Sequence, residues 1–233
     1  GGRAGQVSDF VRQGQDGFMA GAGLAIDRRR GLLYASTAAV PFMEGYQKED
    51  EGKAGVFAFD LKSGRTLRKV WLTGAGAGPH FLNNMVVDQR GNLLVSDSGS
   101  PGVYRWQTGS DGLEALPWAK VFRSTQGLAL SQDEKTLYLT DWSDGVWAVD
   151  LASGDRRKVE GPKGVWLGGL DGLTPVPGGF VAVQIGVKPD RVVRLHLDGT
   201  GARITAVDLL ERNRAEYAEP VQGGRERRGR APG

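Results

Sequence analysis

The sequence predicts an all-β protein built from repeats of four short antiparallel strands, and two observations carry that prediction. The first is a pair of nearly identical stretches, VFAFDLKSGR at Val56–Arg65 and VWAVDLASGD at Val146–Asp155. Their spacing equals two periods of about 45 residues, which is the length of a four-stranded propeller blade. The second is the content of 37 glycines in 233 residues, which suits many tight turns between short strands. Both observations favour a β-propeller.

The order of strands within one repeat follows from the alternation of apolar and polar residues. Each repeat opens with an apolar strand, passes a turn that contains glycine, and adds a second strand; these openings begin at Gly23, Asn84, Gly127 and Gly172. A third strand carries the twin stretches, and turns such as LKSG and LASG lead to a more polar fourth strand. The sequence therefore predicts four complete repeats of a four-stranded antiparallel blade.

The segments around these strands need separate predictions. We predict fourth strands at Thr66–Leu72 and Ala119–Ser124, and we interpret DFVRQGQDGF (residues 9–18) as the last strand of a preceding blade. Residues 206–217 have apolar residues at helical spacing, which predicts a short helix or an irregular connection. Residues 41–53, PFMEGYQKEDEGK, form an insertion that is either a solvated loop or a lid over a central pocket.

The ends of the chain do not continue the repeat. Residues 1–20 are predicted to be the remnant of a preceding blade or disordered, and residues 21–218 to be the propeller repeats. Residues 219–233 are predicted to be the start of an aborted repeat followed by a basic, disordered tail. The hypothesis is an incomplete propeller, with a genuine small propeller of four to five blades as the alternative. Open strand edges would favour self-association.

Composition excludes several classes of function. The chain has no cysteine, so disulfides and thiolate metal sites are excluded. No stretch approaches the ~18 apolar residues of a membrane helix, and the first residues show no apolar signal-peptide core, so the compartment stays open. The net charge of +3 equals that of the segment after Gln222, where four arginines stand against one glutamate. No nucleic-acid or membrane partner is therefore expected.

Candidate site residues follow from propeller geometry, in which first strands lie beside the central channel. The residue just before each first strand can face that channel, and five such positions can be read: Ala22, Asn83, Gln126, Asp171 and Gln222. His80, in GPHFLNN, is a further candidate because histidine is the usual general base near neutral pH. The alternative is that His80 is a loop histidine satisfied by backbone groups.

Two sequence motifs resemble those of a known family. The chain resembles the SMP-30/gluconolactonase (regucalcin-like) family in two sequence motifs, NNMVVDQRGNLLVSD (Asn83–Asp97) and QGLALSQDEKTLYLTD (Gln126–Asp141). The resemblance covers about residues 21–222. It implies a six-bladed propeller, here incomplete, and a metal-dependent hydrolase of lactones or esters. The implied cofactor is a divalent cation, calcium first and zinc as the alternative, that polarises the lactone carbonyl and activates a water molecule.

The resemblance also implies roles for the candidate residues. Asp171 matches the aspartate that binds the metal in the family, and it would act as metal ligand and general base. The alternative interpretation is that Asp171 and Gly172 only form a turn. Asn83 matches an asparagine that contacts metal or substrate, and its alternative is a turn cap. Gln126 stands where the family has asparagine and would be a metal ligand with a longer side chain. Ala22 has no ligand atom, and the family's glutamate has no match, so weak cation binding is expected.

The leading hypothesis is thus a hydrolase that uses Asp171 and His80 in catalysis, Asn83 for substrate, and Asn83, Gln126 and Asp171 for the cation. Two alternatives stay open. One is a non-catalytic propeller scaffold that binds a small ligand or protein, and the other is an inactive, truncated family member. Ala22 and Gln126 favour the alternatives.

Overall fold

The chain folds into four antiparallel sheets. The computed structural model describes residues 9–12, 14–74 and 78–212. Within these ranges each sheet has four strands, and its strands are neighbours in chain order. This confirms the predicted all-β class and the four repeats. The predictions on residues 1–8, on Gln222 and on residues 219–233 lie outside the described residues.

The bounds of the elements agree with the predicted repeats at most positions. The strands are β1 (Ala20–Asp27), β2 (Leu32–Ala38), β3 (Ala54–Asp60), β4 (Thr66–Trp71), β5 (Leu82–Val87), β6 (Leu93–Asp97), β7 (Gly102–Trp106), β8 (Glu114–Ala115), β9 (Thr125–Leu130), β10 (Thr136–Asp141), β11 (Gly145–Asp150), β12 (Arg156–Lys158), β13 (Leu170–Val176), β14 (Gly179–Gln184), β15 (Arg191–Leu197) and β16 (Ile204–Arg212). Short 3-10 helices occupy Gln15–Gly17, Lys48–Asp50 and Pro117–Val121. No helix in the described part of the chain has the length and apolar character needed to cross a membrane.

The described residues fall into two compact units that divide between Gln126 and Gly127. The first unit contains the sheets β1–β4 and β5–β8. The second contains the sheet β13–β16 and the sheet β9–β12 apart from the first two residues of β9.

The twin stretches end in the same turn. Asp60 and Asp150 close β3 and β11, and the Oδ1 atom of each accepts backbone N–H groups two and three residues later. Hydrogen bonds from Ser63 lower the pKa of Asp60, and backbone hydrogen bonds, first that of Ser153, lower the pKa of Asp150. The repeated Asp–Leu–x–Ser–Gly pattern is therefore the sequence of a turn held by its aspartate.

The core of each unit lies between its two sheets. The first sheet of the pair contributes an alanine, a tyrosine, a valine and a second alanine at equivalent positions, and the second sheet contributes four further apolar residues. In the first unit these are Ala25, Tyr34, Val56 and Ala58 with Met85, Val95, Tyr104 and Trp106. In the second unit they are Ala129, Tyr138, Val146 and Ala148 with Leu173, Phe180, Ala182 and Val193. The two units therefore repeat one packing arrangement.

The opposite face of the first sheet is only partly covered. Phe18 packs edge-on against Phe57 and Phe59 on this face. Leu24 and Ile26 of β1 share the face, and they stay 53% and 46% exposed. The self-association expected from open strand edges is a separate matter and stays a prediction.

The structure corrects three predicted elements. Residues 9–18 contain the 3-10 helix Gln15–Gly17 where a strand was predicted. The fourth strand of the second sheet is Glu114–Ala115, and a 3-10 helix begins at Pro117, because Leu116, Ala119 and Phe122 are buried at a spacing of three. The described part of residues 206–217 is strand β16, which pairs along its length with β15. Pairing with a neighbouring strand has overridden the helical spacing.

Candidate functional site

The candidate residues lie at an irregularity that recurs in the first strand of the sheets. The register of β1, β5 and β13 against the following strand shifts between Gly21 and Leu24, between Leu82 and Met85, and between Leu170 and Leu173. Ala22, Asn83 and Asp171 each stand within one of these shifts. Such bulges turn side chains away from the regular alternation and are common beside functional sites.

One type of hydrogen bond recurs beside the candidate residues in three of the sheets. The backbone N–H of Gly23 donates to Ser36 Oγ at 2.8 Å, and that of Asn84 donates to Ser96 Oγ at 3.1 Å. The N–H of Gly127 donates to Thr140 Oγ1 at 2.7 Å. Since each donor follows a candidate residue directly, Gln126 is structurally equivalent to Ala22 and Asn83. The sequence placed these residues just before the first strands, whereas the structure places each of them within its strand, one or two residues after the strand begins.

Glycine lets the bulges of neighbouring sheets approach each other within each unit. A Cβ atom added to Gly23 would lie 1.5 Å from the backbone oxygen of Asn83. A Cβ atom added to Gly127 would lie 2.6 Å from the backbone oxygen of Asp171. A side chain at either glycine would therefore displace the backbone that carries a candidate residue.

The first unit brings Asn83 and Gln126 together. Asn83 Nδ2 donates a hydrogen bond to Gln126 Oε1 at 2.6 Å, and Gln126 Nε2 donates to Ser124 Oγ at 3.1 Å. The extra methylene of glutamine gives its amide the reach for this contact. The Gln126 oxygen is thus engaged by an amide of the same site.

His80 lies in a buried pair with Asp97, the last residue of β6. His80 Nδ1 is 2.6 Å from Asp97 Oδ2, and the two side chains are 4% and 0% exposed. A carboxylate only accepts, so His80 Nδ1 is the donor in this pair. Nε2 is buried and has no hydrogen-bond partner among the described residues.

Asp97 also organises the chain around His80. Its Oδ1 atom accepts the backbone N–H groups of Phe81, Gly99 and Ser100 at 2.9, 3.0 and 3.1 Å. The bond to Phe81 fixes the segment that leads from His80 into β5 and Asn83. Sequence reasoning did not identify Asp97 as the partner of His80, although it is the final residue of the phrase NNMVVDQRGNLLVSD.

Asp171 lies in the second unit, where its side chain is buried in the bulge of β13. It supplies the carboxylate of the predicted donor set, while Asn83 and Gln126 supply amide oxygens. All three are oxygen donors of the kind that calcium prefers. No group of three or more His, Cys, Asp or Glu side chains that could hold a metal occurs among the described residues. Asn83 and Gln126 belong to the first unit and Asp171 to the second, so a cation shared by the three stays a prediction.

The insertion contributes to a cleft in the first unit. The cleft is lined by Trp71 at the end of β4 and by five residues of the insertion, namely Met43, Glu44, Gly45, Asp50 and Lys53. The insertion is thus part of a wall, whereas the sequence left a solvated loop and a lid as alternatives.

Comparison with known proteins identifies the fold. No protein-family model and no curated protein sequence matches the chain. Among solved structures, the chain resembles one in a nidogen/laminin complex, with a TM-score of 0.58 and 16% identity over 83% of this chain and 65% of that chain. It also resembles hydrazine synthase from Kuenenia stuttgartiensis, with a TM-score of 0.57 and 14% identity over 82% of this chain and 49% of the other.

A third similar structure is a protein of unknown function from Bacteroides caccae, with a TM-score of 0.56 and 12% identity over 88% of this chain and 85% of that chain. The chain spans less than two thirds of the matched chains in the nidogen/laminin complex and in hydrazine synthase. Identities this low establish the fold alone. The four four-stranded sheets of this chain are therefore blades of the β-propeller fold.

Proposed function

We propose that this chain is a propeller hydrolase of the SMP-30/gluconolactonase type that acts on a small lactone or ester with the help of a divalent cation. The observation that carries the proposal is the recurrence of polar side chains at structurally equivalent bulges of the first strands. Asn83 and Asp171 lie at the register shifts of β5 and β13, and the N–H groups that follow Asn83 and Gln126 make the same kind of hydrogen bond to a hydroxyl on the second strand. The reaction class is taken from the resemblance of the two sequence motifs to those of that family.

In this proposal Asp171 holds the cation, and Asn83 contacts the substrate. Calcium suits these oxygen donors, and when bound it would polarise the carbonyl of the lactone and lower the pKa of a water molecule. The hydrogen bond from Asn83 to Gln126 orients both amides. Asn83 then presents its carboxamide in one fixed direction, which suits recognition of a hydroxyl-rich lactone.

His80 has a positioning role in this proposal. A general base must come within hydrogen-bond reach of the proton that it removes. Nε2 of His80 is buried, whereas its bond to Asp97 holds the segment before Asn83. We therefore expect His80→Gln to raise KM more than it lowers kcat.

Hydrolysis of a panel of aldonolactones and small esters in the presence of calcium or zinc tests the proposal. We expect Asp171→Asn to lower kcat/KM by about 100-fold or more, because it removes the carboxylate. Asp144→Asn is the matched control, since Asp144 is a surface residue of the same unit that pairs with Lys158. Failure of the wild type to hydrolyse any of these compounds would refute the hydrolase.

A non-catalytic scaffold is the second candidate. The specific observation in its favour is that the Gln126 oxygen accepts a hydrogen bond from Asn83, while Ala22 at the equivalent position has no donor atom. Binding of a lactone without turnover, and without dependence on a cation, would favour the scaffold over the hydrolase.

A further inference from the structure

A tyrosine and an arginine recur at equivalent positions of the two units. In the first unit Tyr34 of β2 and Arg68 of β4 both pair with the same alanine of β3. In the second unit Tyr138 of β10 and Arg157 of β12 both pair with the matching alanine of β11. Each of the two tyrosine residues is 6% exposed. The two units can therefore be compared directly at this position.

The second unit satisfies both side chains with one backbone oxygen. The hydroxyl of Tyr138 donates to the carbonyl oxygen of Gly201 at 3.1 Å, and Nη2 of Arg157 donates to the same oxygen at 3.2 Å. Gly201 lies in the turn between β15 and β16. A Cβ atom added to it would lie 2.1 Å from the hydroxyl of Tyr138, so this close approach requires glycine. One acceptor thus bridges the two donors.

The first unit leaves the same two side chains with free donors. The hydroxyl of Tyr34 makes no hydrogen bond within the described part of the chain, and it keeps surface that solvent can reach. Burial raises the pKa of Tyr34, so the hydroxyl stays protonated and can donate. Arg68 donates only through Nη2, to the backbone oxygen of Ser110 and to Asp111 Oδ1. Asp111 is fully exposed, so water screens that ion pair.

Tyr34 and Arg68 line a cleft of about 180 Å³ between the two sheets of the first unit. Since the rest of Tyr34 is buried, its hydroxyl is reached through this cleft. The apolar part of the lining includes side chains from both sheets, namely Leu32, Leu67 and Trp106. The charged part consists of Arg30 and Arg68, and no acidic side chain of the described residues lines the cleft. The cleft therefore combines an apolar wall with hydrogen-bond donors.

Both guanidinium groups of the cleft are held in place. Cζ of Arg68 lies 5.2 Å from the ring centroid of Trp106, which orients the guanidinium over the ring. Arg30 Nη1 forms an ion pair with Asp27 Oδ2 at 2.8 Å, and its Nη2 donates to the backbone oxygen of Gln89. Each arginine thus has an acidic partner. What the cleft offers a ligand is a set of fixed donors rather than an unbalanced charge.

We propose that this cleft binds a small carboxylate with an apolar body of one ring or a short chain. One carboxylate oxygen takes the place that the Gly201 oxygen has in the second unit, and it accepts from Tyr34 and Arg68. Such charge-assisted hydrogen bonds are stronger than neutral ones. The apolar body contacts the leucines and Trp106, whereas Arg30 and Arg68 would repel a cation.

The size of the cleft limits the ligand. Its volume is below the range of about 300–1,000 Å³ in which drug-sized ligands bind, so a single ring suits it. None of the bulge residues lines the cleft. Binding of the carboxylate is therefore independent of the proposed hydrolysis.

Titration of the full chain with benzoate, followed by amide NMR shifts at constant ionic strength, tests this binding. Benzamide is the matched control ligand, because it keeps the ring and one carbonyl oxygen but has no charge. We expect a Kd on the order of 1–10 mM for benzoate and a Kd about 5-fold higher or more for benzamide. Equal Kd values for the two compounds, or no shifts at about 50 mM benzoate, would overturn the proposal.

A pair of tyrosine variants places the binding in the cleft. Tyr34→Phe removes a hydroxyl that has no internal hydrogen bond to lose, so it should weaken benzoate binding about 5-fold and leave the melting temperature unchanged. Tyr138→Phe removes the bond to Gly201, so it should lower the melting temperature by about 2–4 °C and leave the Kd for benzoate unchanged. Equal weakening in the two variants, or none in Tyr34→Phe, would contradict the site.

A pair of arginine variants tests the second donor. Arg68→Gln should weaken benzoate binding about 10-fold, because the charged donor is lost. Arg157→Gln makes the same change at the equivalent position, where Gly201 already occupies the donors, and it should leave the Kd unchanged. A Kd for Arg68→Gln equal to that of the wild type would show that the carboxylate does not bridge Tyr34 and Arg68.

Discussion

Replacement of Gly23 by alanine is expected to lower the free energy of unfolding by about 3 kcal/mol, although it adds one methyl group. The added Cβ atom would lie 1.5 Å from the backbone oxygen of Asn83, which is far inside any contact distance. The φ angle of Gly23 is not in the left-handed region, so the effect is steric. The two sheets of the first unit must separate at the bulge to make room, and Asn83 must move away from Gln126.

Urea unfolding followed by tryptophan fluorescence measures this loss, and the melting temperature should fall by roughly 6–12 °C. Gly112→Ala is the control in the same unit, because a Cβ atom there has no neighbour within 4 Å. We expect its effect to stay within about 0.5 kcal/mol of the wild type. If Gly23→Ala loses less than about 1 kcal/mol, the close approach of the two bulges is wrong.

Asp97→Ala should destabilise the chain by about 3–5 kcal/mol, the largest effect that we expect from a polar residue. Asp97 is fully buried, and its two oxygens accept from three backbone N–H groups and from His80. Alanine would remove this acceptor from all four donors, of which the His80 ring is buried and the three backbone groups are partly buried. Each unsatisfied donor carries a desolvation cost, so the loss exceeds that of a single hydrogen bond.

An exposed pair of the same kind provides the control. His196 Nε2 lies 2.6 Å from Asp208 Oδ2, the same distance as in the buried pair, but these side chains are 33% and 59% exposed. Asp208→Ala should therefore cost less than about 1 kcal/mol, because water replaces the lost contact. Comparable losses in Asp97→Ala and Asp208→Ala would show that burial does not set the strength of the His80–Asp97 pair.

The repeats could be predicted from the sequence because their determinants are local. Alternating apolar residues give the strands, and the Asp–Leu–x–Ser–Gly turns that follow β3 and β11 are each held by one aspartate. The correspondence of Ala22, Asn83 and Gln126 could also be predicted, because an apolar run follows each of them, although each lies inside its strand. The bulges themselves could not, since a bulge is defined by the partner strand.

The contacts of the site depend on residues that are distant in sequence, and these were not predictable. The bond between Asn83 and Gln126 joins different sheets. The pair of His80 and Asp97 joins a loop to the end of the next strand but one. In the same way β16 is a strand because β15 offers it a pairing edge, whereas its own spacing of apolar residues favours a helix.

The central claim is that the first-strand bulges carry the ligand-binding residues and that Asp171 holds a cation. A calorimetric titration with calcium tests this claim most directly. The wild type should bind with a Kd on the order of 0.1–1 mM, as expected for a site with few charged ligands. Asp171→Asn should weaken this binding at least 10-fold, and Asp144→Asn should leave it unchanged. No heat of binding up to about 10 mM calcium, or the same Kd in Asp171→Asn as in the wild type, would contradict the claim.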